Sequence, residues 1–426
     1  MRAPCRRLSQ LAPFVACALF LLGGCTSEAE RRADRGIADY FAGDYVRSVR
    51  ELAPEARETN ENFVLNNDRL GSAALAAYDL DDAESAFLRA YEVINSVGVN
   101  GGGRSLGAVL VDERIKVWKG EPFERAMTNF YLGLIYYTQH DYGNARAAFE
   151  NSLFKLRDYG EGSNPQDPYS DVESNFALGY LMLAKSWQRL GRADKAHDVF
   201  EHAAKLRPDL TGLANEQANE KSNVLLVVDF GYGPEKLSTD DGAVVGFGPT
   251  PGQAGPIPLP FVSIDRRQIN PGPLGYPSVD LLALAQDRKW ESIDTIRAVK
   301  SAVGTGLIVA GAYEGLGRRN PDAGASLGLI LAGLILKATS QADLRQWEML
   351  PRTTFLLPLQ LPPGTHEITV NFPGAGGMSQ TWRGIPVPAS GEATYYFRMQ
   401  RGFEGPYEWP PPAATRPIGI AGPNER

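Results

Sequence analysis

Cysteine is almost absent from this chain: three in 426 residues, at Cys5, Cys17 and Cys25. Beyond residue 25 there is no thiol, so no disulfide, thiolate metal site or cysteine nucleophile can be built there. Histidine is scarce too, with only His140, His197, His202 and His366. His197 and His202 are five positions apart, which does not bring two ligands onto one helix face. H-E-x-x-H, nucleophile-elbow, P-loop and dinucleotide motifs are all missing. Carboxylate pairs such as Asp81-Asp82 and Asp240-Asp241 have the setting of helix caps and turns. We therefore expect a non-catalytic protein with no metal and no cofactor. Apolar runs of the ~20 residues needed to span a bilayer as a helix are missing as well. The net charge is −7. That balance excludes nucleic acid as a partner, because phosphate neutralisation needs clustered Lys and Arg.

The first 24 residues have the layout of a secretory leader. Arg2, Arg6 and Arg7 form a basic start, and Leu8 to Leu22 is mostly apolar. Small residues then lead into a cysteine, as Leu22-Gly23-Gly24-Cys25. This stretch resembles a bacterial lipoprotein lipobox. The resemblance implies a signal peptide over 1–24 and a mature N-terminus at Cys25 carrying a thioether-linked diacylglycerol. An ordinary cleaved leader with an incidental cysteine is the alternative. Losing the three arginines takes the net charge from −7 to −10. Lipid rather than surface charge would then hold the protein to a membrane, and two acyl chains suffice for stable anchoring. Thr26 follows the cysteine where an aspartate would retain a Gram-negative lipoprotein at the inner membrane. By resemblance, the chain is expected at the outer membrane, facing the periplasm.

Residues 25–210 carry an internal repeat. Leu132-Gly133-x-x-Tyr136 is followed by Ala145-x-x-x-Phe149; Leu70-Gly71 is followed by Ala83-x-x-x-Phe87; and Ala196-x-x-x-Phe200 closes with Pro208. A fourth, weaker unit holds Gly36, Tyr40, Gly43-Asp44-Tyr45 and Ser48. The pattern resembles the tetratricopeptide repeat (TPR), in which small residues let paired helices touch and the aromatic fills the gap between neighbouring units. Turn signals fall at Gly43-Asp44, His140-Asp141 and Gly191-Arg192. The spacing is uneven: Ser48 to Ala83 is 35 positions, Ala83 to Ala145 is 62 and Ala145 to Ala196 is 51. Against a repeat of about 34 residues, this leaves an insertion at 95–119. Its end is basic and aromatic, with Arg114 and Trp118. It either folds over the groove or packs as a surface loop.

The stretches Asn62-Phe63-Val64-Leu65-Asn66-Asn67, Gly120-Glu121-Pro122-Phe123-Glu124-Arg125-Ala126 and Val227-Val228-Asp229-Phe230-Gly231-Tyr232-Gly233 resemble a family of bacterial TPR lipoproteins without an assigned activity. In TPR proteins the concave surface comes from the first helix of each unit. That frame implies a groove for an envelope protein or peptide, lined by Tyr40, Asp68, Phe130, Tyr137, Lys185, Gln188 and Arg189, with Arg114 and Trp118 from the insertion. The Lys and Asn pattern of the chaperone-binding carboxylate clamp is not reproduced.

The expected second half, 222–399, is β-rich. Asn223 to Asp229 reads as a buried strand, and 353–359, 367–372 and 393–399 as three more. Residues 246–278 are dense in Pro and Gly and read as extended loop. Leu361 to Val370 resembles the turn-and-strand signature of small immunoglobulin-like or transthyretin-like β-sandwiches. Two apolar segments over 301–339 carry G-x-x-x-G spacings at Gly311/Gly315 and Gly324/Gly328, which suit a tight helical hairpin. Burial on the sheet and insertion into a membrane are both open, although Glu314 and Lys337 count against insertion. The Pro-rich tail, 400–426, reads as disordered, with Tyr407 and Trp409 as docking points.

The expected fold is therefore α + β and multidomain: an all-α TPR solenoid, then a β-sandwich-like domain with an inserted Gly-rich helical hairpin. The expected role is a lipid-anchored scaffold or adaptor. A membrane-active or oligomerising component working through the hairpin, and a peptidoglycan-binding module, are the alternatives.

Overall fold

The computed structural model describes residues 27–95, 117–158, 172–238, 245–251, 253–287, 344–373, 377–400 and 406–411. The leader with Cys25, Arg114 and most of the insertion, and the whole of 301–339 lie outside the described residues.

Four helix pairs come first: α1 (Glu28–Phe41) with α2 (Tyr45–Leu52), α3 (Phe63–Ala76) with α4 (Leu80–Asn95), α5 (Pro122–Thr138) with α6 (Tyr142–Phe154), and α7 (Ala177–Arg189) with α8 (Ala193–Leu206). A short α9 (Thr211–Ala218) follows. Each pair packs on the next. The turn inside every pair contains one left-handed residue: Gly43 at φ 82°, Tyr78 at 61°, His140 at 64° and Gly191 at 72°. In three pairs an aspartate comes next and starts the second helix. The side chains of Asp44, Asp79 and Asp141 accept the N–H groups of Arg47, Asp82 and Asn144 at 3.1, 3.2 and 3.1 Å. These caps satisfy amides that the first helical turn leaves without a partner.

The small residues of the repeat work as expected. A Cβ on Gly71 would lie 2.7 Å from the Phe87 ring, and one on Gly133 would lie 2.8 Å from Phe149. Each aromatic therefore presses on the glycine of its own pair, and Phe87 also stacks on Tyr131 of the next pair at 5.6 Å. The second helix crosses the first so closely that only hydrogen fits at the crossing.

The C-terminal half is two facing sheets. Strands β3 (Val224–Phe230), β8 (Val279–Asp280), β9 (Thr353–Leu359) and β12 (Ala393–Met399) form a four-stranded sheet in the order β12-β3-β9-β8. β3 is parallel to β12, with Val224 opposite Ala393, and antiparallel to β9, with Val224 opposite Leu359. Strands β6 (Phe261–Ile264), β7 (Arg267–Ile269), β10 (Gly364–Phe372), β11 (Met378–Val387) and β13 (Tyr407–Glu408) form the other, in the order β13-β11-β10-β6-β7. Two further ribbons pair β1 (Arg157–Asp158) with β2 (Val172–Glu173), and β4 (Pro234–Ser238) with β5 (Val245–Pro249). A short α10 (Leu281–Ala285) follows β8.

Strand β3 shows why its sequence has no alternation. Val224, Leu226, Val228 and Phe230 join the core between the two sheets, while Leu225 and Val227 join the core made with the helices. Both faces are covered, so apolar residues run continuously. The helix-side core extends without a break from Tyr40 through Phe87 and Tyr131 to Leu356 and Tyr396. The molecule is thus layered as helices, four-stranded sheet and five-stranded sheet, and the helical half shares one core with the sheet beside it.

Two expectations need correction. The region 246–278 is not only loop, since β6 pairs with β10 and with β7, the edge strand of the five-stranded sheet. Its turn uses Asp265 and Arg266 at φ 49° and 69°, a left-handed pair without glycine. Asp265 holds that turn by accepting from the Glu367 amide at 2.9 Å and bonding His366 Nδ1 at 2.7 Å. The tail is not wholly free either. Tyr407 pairs beside Trp382 in β13, and the Trp409 ring stands edge-on to Tyr78 at 4.3 Å.

Candidate functional site

The inner helical face is the place to which the sequence assigned function, and the structure fills it. Residues 344–350, without helix or strand, form a strap that meets α1, α3 and α5. Trp347 is its anchor, 2% exposed, tilted over Phe87 at 5.9 Å and edge-on to Tyr131 at 5.8 Å. Its indole N–H donates to Ser72 Oγ at 3.1 Å, and its backbone N–H to Glu124 Oε1 at 2.7 Å. Glu348 takes a two-pronged ion pair from Arg69 at 2.6 and 3.0 Å. Arg345 donates to Glu61 O at 2.9 Å and Asn62 Oδ1 at 3.1 Å. Its carbonyl accepts from Trp118 Nε1 and Lys236 Nζ, both at 3.0 Å.

Beside the strap, two buried polar centres join helices to sheet. In the first, Asp229 of β3 accepts from Tyr131 at 2.6 Å, Tyr396 at 2.8 Å and Thr354 at 2.5 Å. Burial pushes its carboxyl up, and Arg398 opposes the shift. Arg398 donates to Tyr40 Oη at 2.8 Å and to Gly231 O at 2.6 Å. In the second, Glu392 accepts from Tyr137 at 2.9 Å and pairs with Lys185 at 2.7 Å and Arg189 at 3.2 Å. Burial lowers the Lys185 ammonium while the Glu392 carboxylate holds it up. Asp229 and Glu392 each accept from several groups and Arg398 donates to Tyr40 and to backbone carbonyls, so each buried charge has its hydrogen bonds.

The residues assigned from sequence can now be placed. Tyr40, Tyr137, Lys185 and Arg189 do lie on the inner face, but their partners are Arg398, Met349 and Glu392 of the same chain. Asp68 is buried and accepts from Thr128 at 2.9 Å, and burial raises its carboxyl well above the usual range. Gln188 caps the end of α9 through the carbonyls of Gln217 and Ala218 at 3.2 Å. Trp118 is 4% exposed and tied to the strap. Phe130 is a correction: it packs on Phe149 and Phe176 between helices, and Tyr131 is the residue of α5 that reaches the sheet. Arg114 lies outside the described residues.

Sequence reading missed Glu124, Tyr131, Asp229, Trp347, Glu392 and Arg398. Two had a visible signal. Asp229 and Arg398 are charges inside otherwise apolar strands, and such a charge must meet a partner across a covered face. The three stretches carrying the family resemblance also converge here. Glu61 and Asn62 receive Arg345, Glu124 receives Trp347, and the carbonyls of Asp229 and Gly231 receive Arg398. A Cβ on Gly233 would stand 2.9 Å from Leu350 O, so the backbone of the strap passes directly over it.

Near this junction a cavity of ≈ 190 Å³ has a lining that includes Tyr45, Tyr78, Trp382, Tyr396 and Tyr407. Among the described residues no group of three or more His, Cys, Asp or Glu is placed to hold a metal ion. Among them, too, no helix is long and apolar enough to cross a membrane.

No family model matches the chain, and no curated protein matches it. A solved structure described as "Crystal Structure of the Apo Form of RapI" is similar at 10% identity over 76% of this chain and 89% of that one, with a TM-score of 0.31. A likeness of that size carries no weight for fold or function. The chain's own geometry has to carry the reading.

Proposed function

We propose that this chain is a lipid-anchored scaffold or adaptor of the bacterial envelope, working by binding rather than by catalysis. Its helical half is a tetratricopeptide-like receptor for an extended segment of an envelope protein. One observation carries this reading: residues 344–350 lie against α3 and α5, with Trp347 between Phe87 and Tyr131 and Glu348 clamped by Arg69. Helical-repeat grooves take peptides in this manner, through aromatic anchors and charged clamps.

The anchor rests on Leu22-Gly23-Gly24-Cys25, and the outer-membrane, periplasm-facing address on Thr26. The saturated state of the buried carboxylates supports a structural role for them. Asp229 has three hydroxyl donors and Glu392 two cations and a phenol.

The test has two arms in a Gram-negative host. Labelled palmitate should enter the chain and be lost in Cys25→Ser, with the label fractionating to the outer membrane. Crosslinking in intact cells, followed by mass spectrometry, should return a defined envelope protein. An unlabelled Cys25 chain, or crosslinks only within the chain itself, would sink the proposal.

A further inference from the structure

We propose that the face of α3 and α5 is a sequence-selective site for a linear peptide carrying Trp-Glu with an arginine two residues before the tryptophan. In this structure residues 345–348 of the chain itself hold it in cis. The inference rests on the adaptor reading above and names the chemistry of its ligand.

Trp347, Met349 and Leu350 pack into the helix-side core, and beside that packing the segment carries polar contacts to its backbone and its charged side chains. The backbone of the strap is held at alternate residues: Arg345 O by Trp118 and Lys236, Trp347 N by Glu124, and Met349 O by Tyr40 Oη at 3.3 Å. At Trp347 the segment turns, with Leu350 N donating to Trp347 O at 3.4 Å, so the backbone contacts fall on either side of the tryptophan. Several of these groups also serve other parts of the chain, as Tyr40 does Arg398. Glu124 Oε2 accepts from the Glu121 amide at 2.7 Å, and Lys236 Nζ also pairs with Glu121 at 2.8 Å. Selectivity comes from three side chains. The indole fills the Phe87–Tyr131 pocket and is read by Ser72, the glutamate meets the planar fork of Arg69, and the arginine meets Glu61 O and Asn62. Arg69 is itself oriented by Asn66 Oδ1 at 3.2 Å. A lysine there could not offer the two-pronged geometry.

A tethered segment competes at an effective concentration of about millimolar, so a free peptide must overcome it. Trp347→Ala with Glu348→Ala in the full chain removes both anchors. The probe is a fluorescein-labelled peptide of residues 344–350, read by anisotropy. The released chain should bind it at least about tenfold more tightly than the unaltered chain does. Peptide with Trp changed to Ala should not bind. Arg69→Glu in the released chain should abolish binding, and a peptide with Glu changed to Arg should restore it. A released chain with native circular dichroism that ignores the peptide overturns the proposal, as does equal binding by the unaltered chain. If the double variant does not fold, Glu348→Arg, at a side chain 25% exposed, is read in the same way. Peptide capture that succeeds while palmitate labelling fails would sink the envelope reading and leave this one standing.

Discussion

Removing the carboxylate of Glu392 is the sharpest probe of how the two halves are joined. The side chains of Glu392 and Lys185 are each 2% exposed, and their 2.7 Å pair is completed by Arg189 and Tyr137. Glu392→Ala would leave the ammonium of Lys185 in a dry interface with nothing opposite it. Breaking one side of a buried pair costs about 3–5 kcal/mol. Replacing both members by apolar groups of similar volume is far milder, so Lys185→Met with Glu392→Leu should recover most of the loss. Arg189, 19% exposed, can then turn to solvent and to Glu220. The assay is urea unfolding followed by far-ultraviolet circular dichroism for the helices and by the summed fluorescence of the six tryptophans for tertiary packing. Because one core runs from Tyr40 to Tyr396, both signals should move together in every variant. A Glu392→Ala loss below about 1 kcal/mol would refute the reasoning, being the range of an exposed pair. So would a double variant no better than the single one, or two signals that separate in the unaltered chain.

Three smaller tests follow from the same geometry. Gly71→Ala sets a methyl against the fully buried Phe87 ring and should destabilise by about 1–3 kcal/mol, with Phe87→Leu relieving part of it in a thermal melt. His140 sits at φ 64° on an exposed turn, so His140→Gly should stabilise by about 1 kcal/mol, seen as a higher Tm. Burial pushes the Glu124 carboxyl up to about 7, against Lys236 and the two amides it accepts. An acid raised on folding favours the folded state at low pH. Its contribution is complete below the unfolded value of 4.5 and is lost as pH rises through about 7. Worth about 3 kcal/mol, this slope should be absent in Glu124→Gln when urea midpoints are compared at about pH 5 and pH 8. Equal slopes in the two chains would show that Glu124 titrates normally.

The helical half was legible because its signal is local. Gly71 with Phe87 and Gly133 with Phe149 are contacts between helices a few residues apart in sequence, and the turns at Gly43 and His140 fall where their residues require. The strands at 353–359 and 393–399 were legible as apolar runs, and β3 as one covered on both faces. The pair β6 and β7 was hidden because its turn, Asp265-Arg266, carries none of the glycine or asparagine that marks a hairpin. The longest strand, β11, was missed because it alternates only loosely, with Gly384 at φ 76° breaking its middle and its pairing with β10 shifting register.

The candidate site failed in a more instructive way. Amphipathic residues on an inner helical face look the same in sequence whether their partner is another molecule or a later part of the same chain. Tyr40, Tyr137, Lys185 and Arg189 were assigned to a foreign partner for that reason, and in the structure they meet Arg398, Met349 and Glu392 of the same chain. What separates the two cases is found elsewhere in the sequence. A groove meant only for a foreign peptide leaves no matching charges in the rest of the chain. Here Asp229, Glu392 and Arg398 stand in or beside apolar strands, where burial would cost several kcal/mol each unless complementary groups met them. Their complements are Tyr131, Lys185 and Tyr40. Unmatched charges in a β half, counted against unmatched charges on a repeat face, thus reveal a closed interface before any coordinates exist. The same count marks the strap as different in kind. Trp347 and Glu348 meet Ser72, Arg69 and Glu124, residues that belong to neither the Asp229 nor the Glu392 centre.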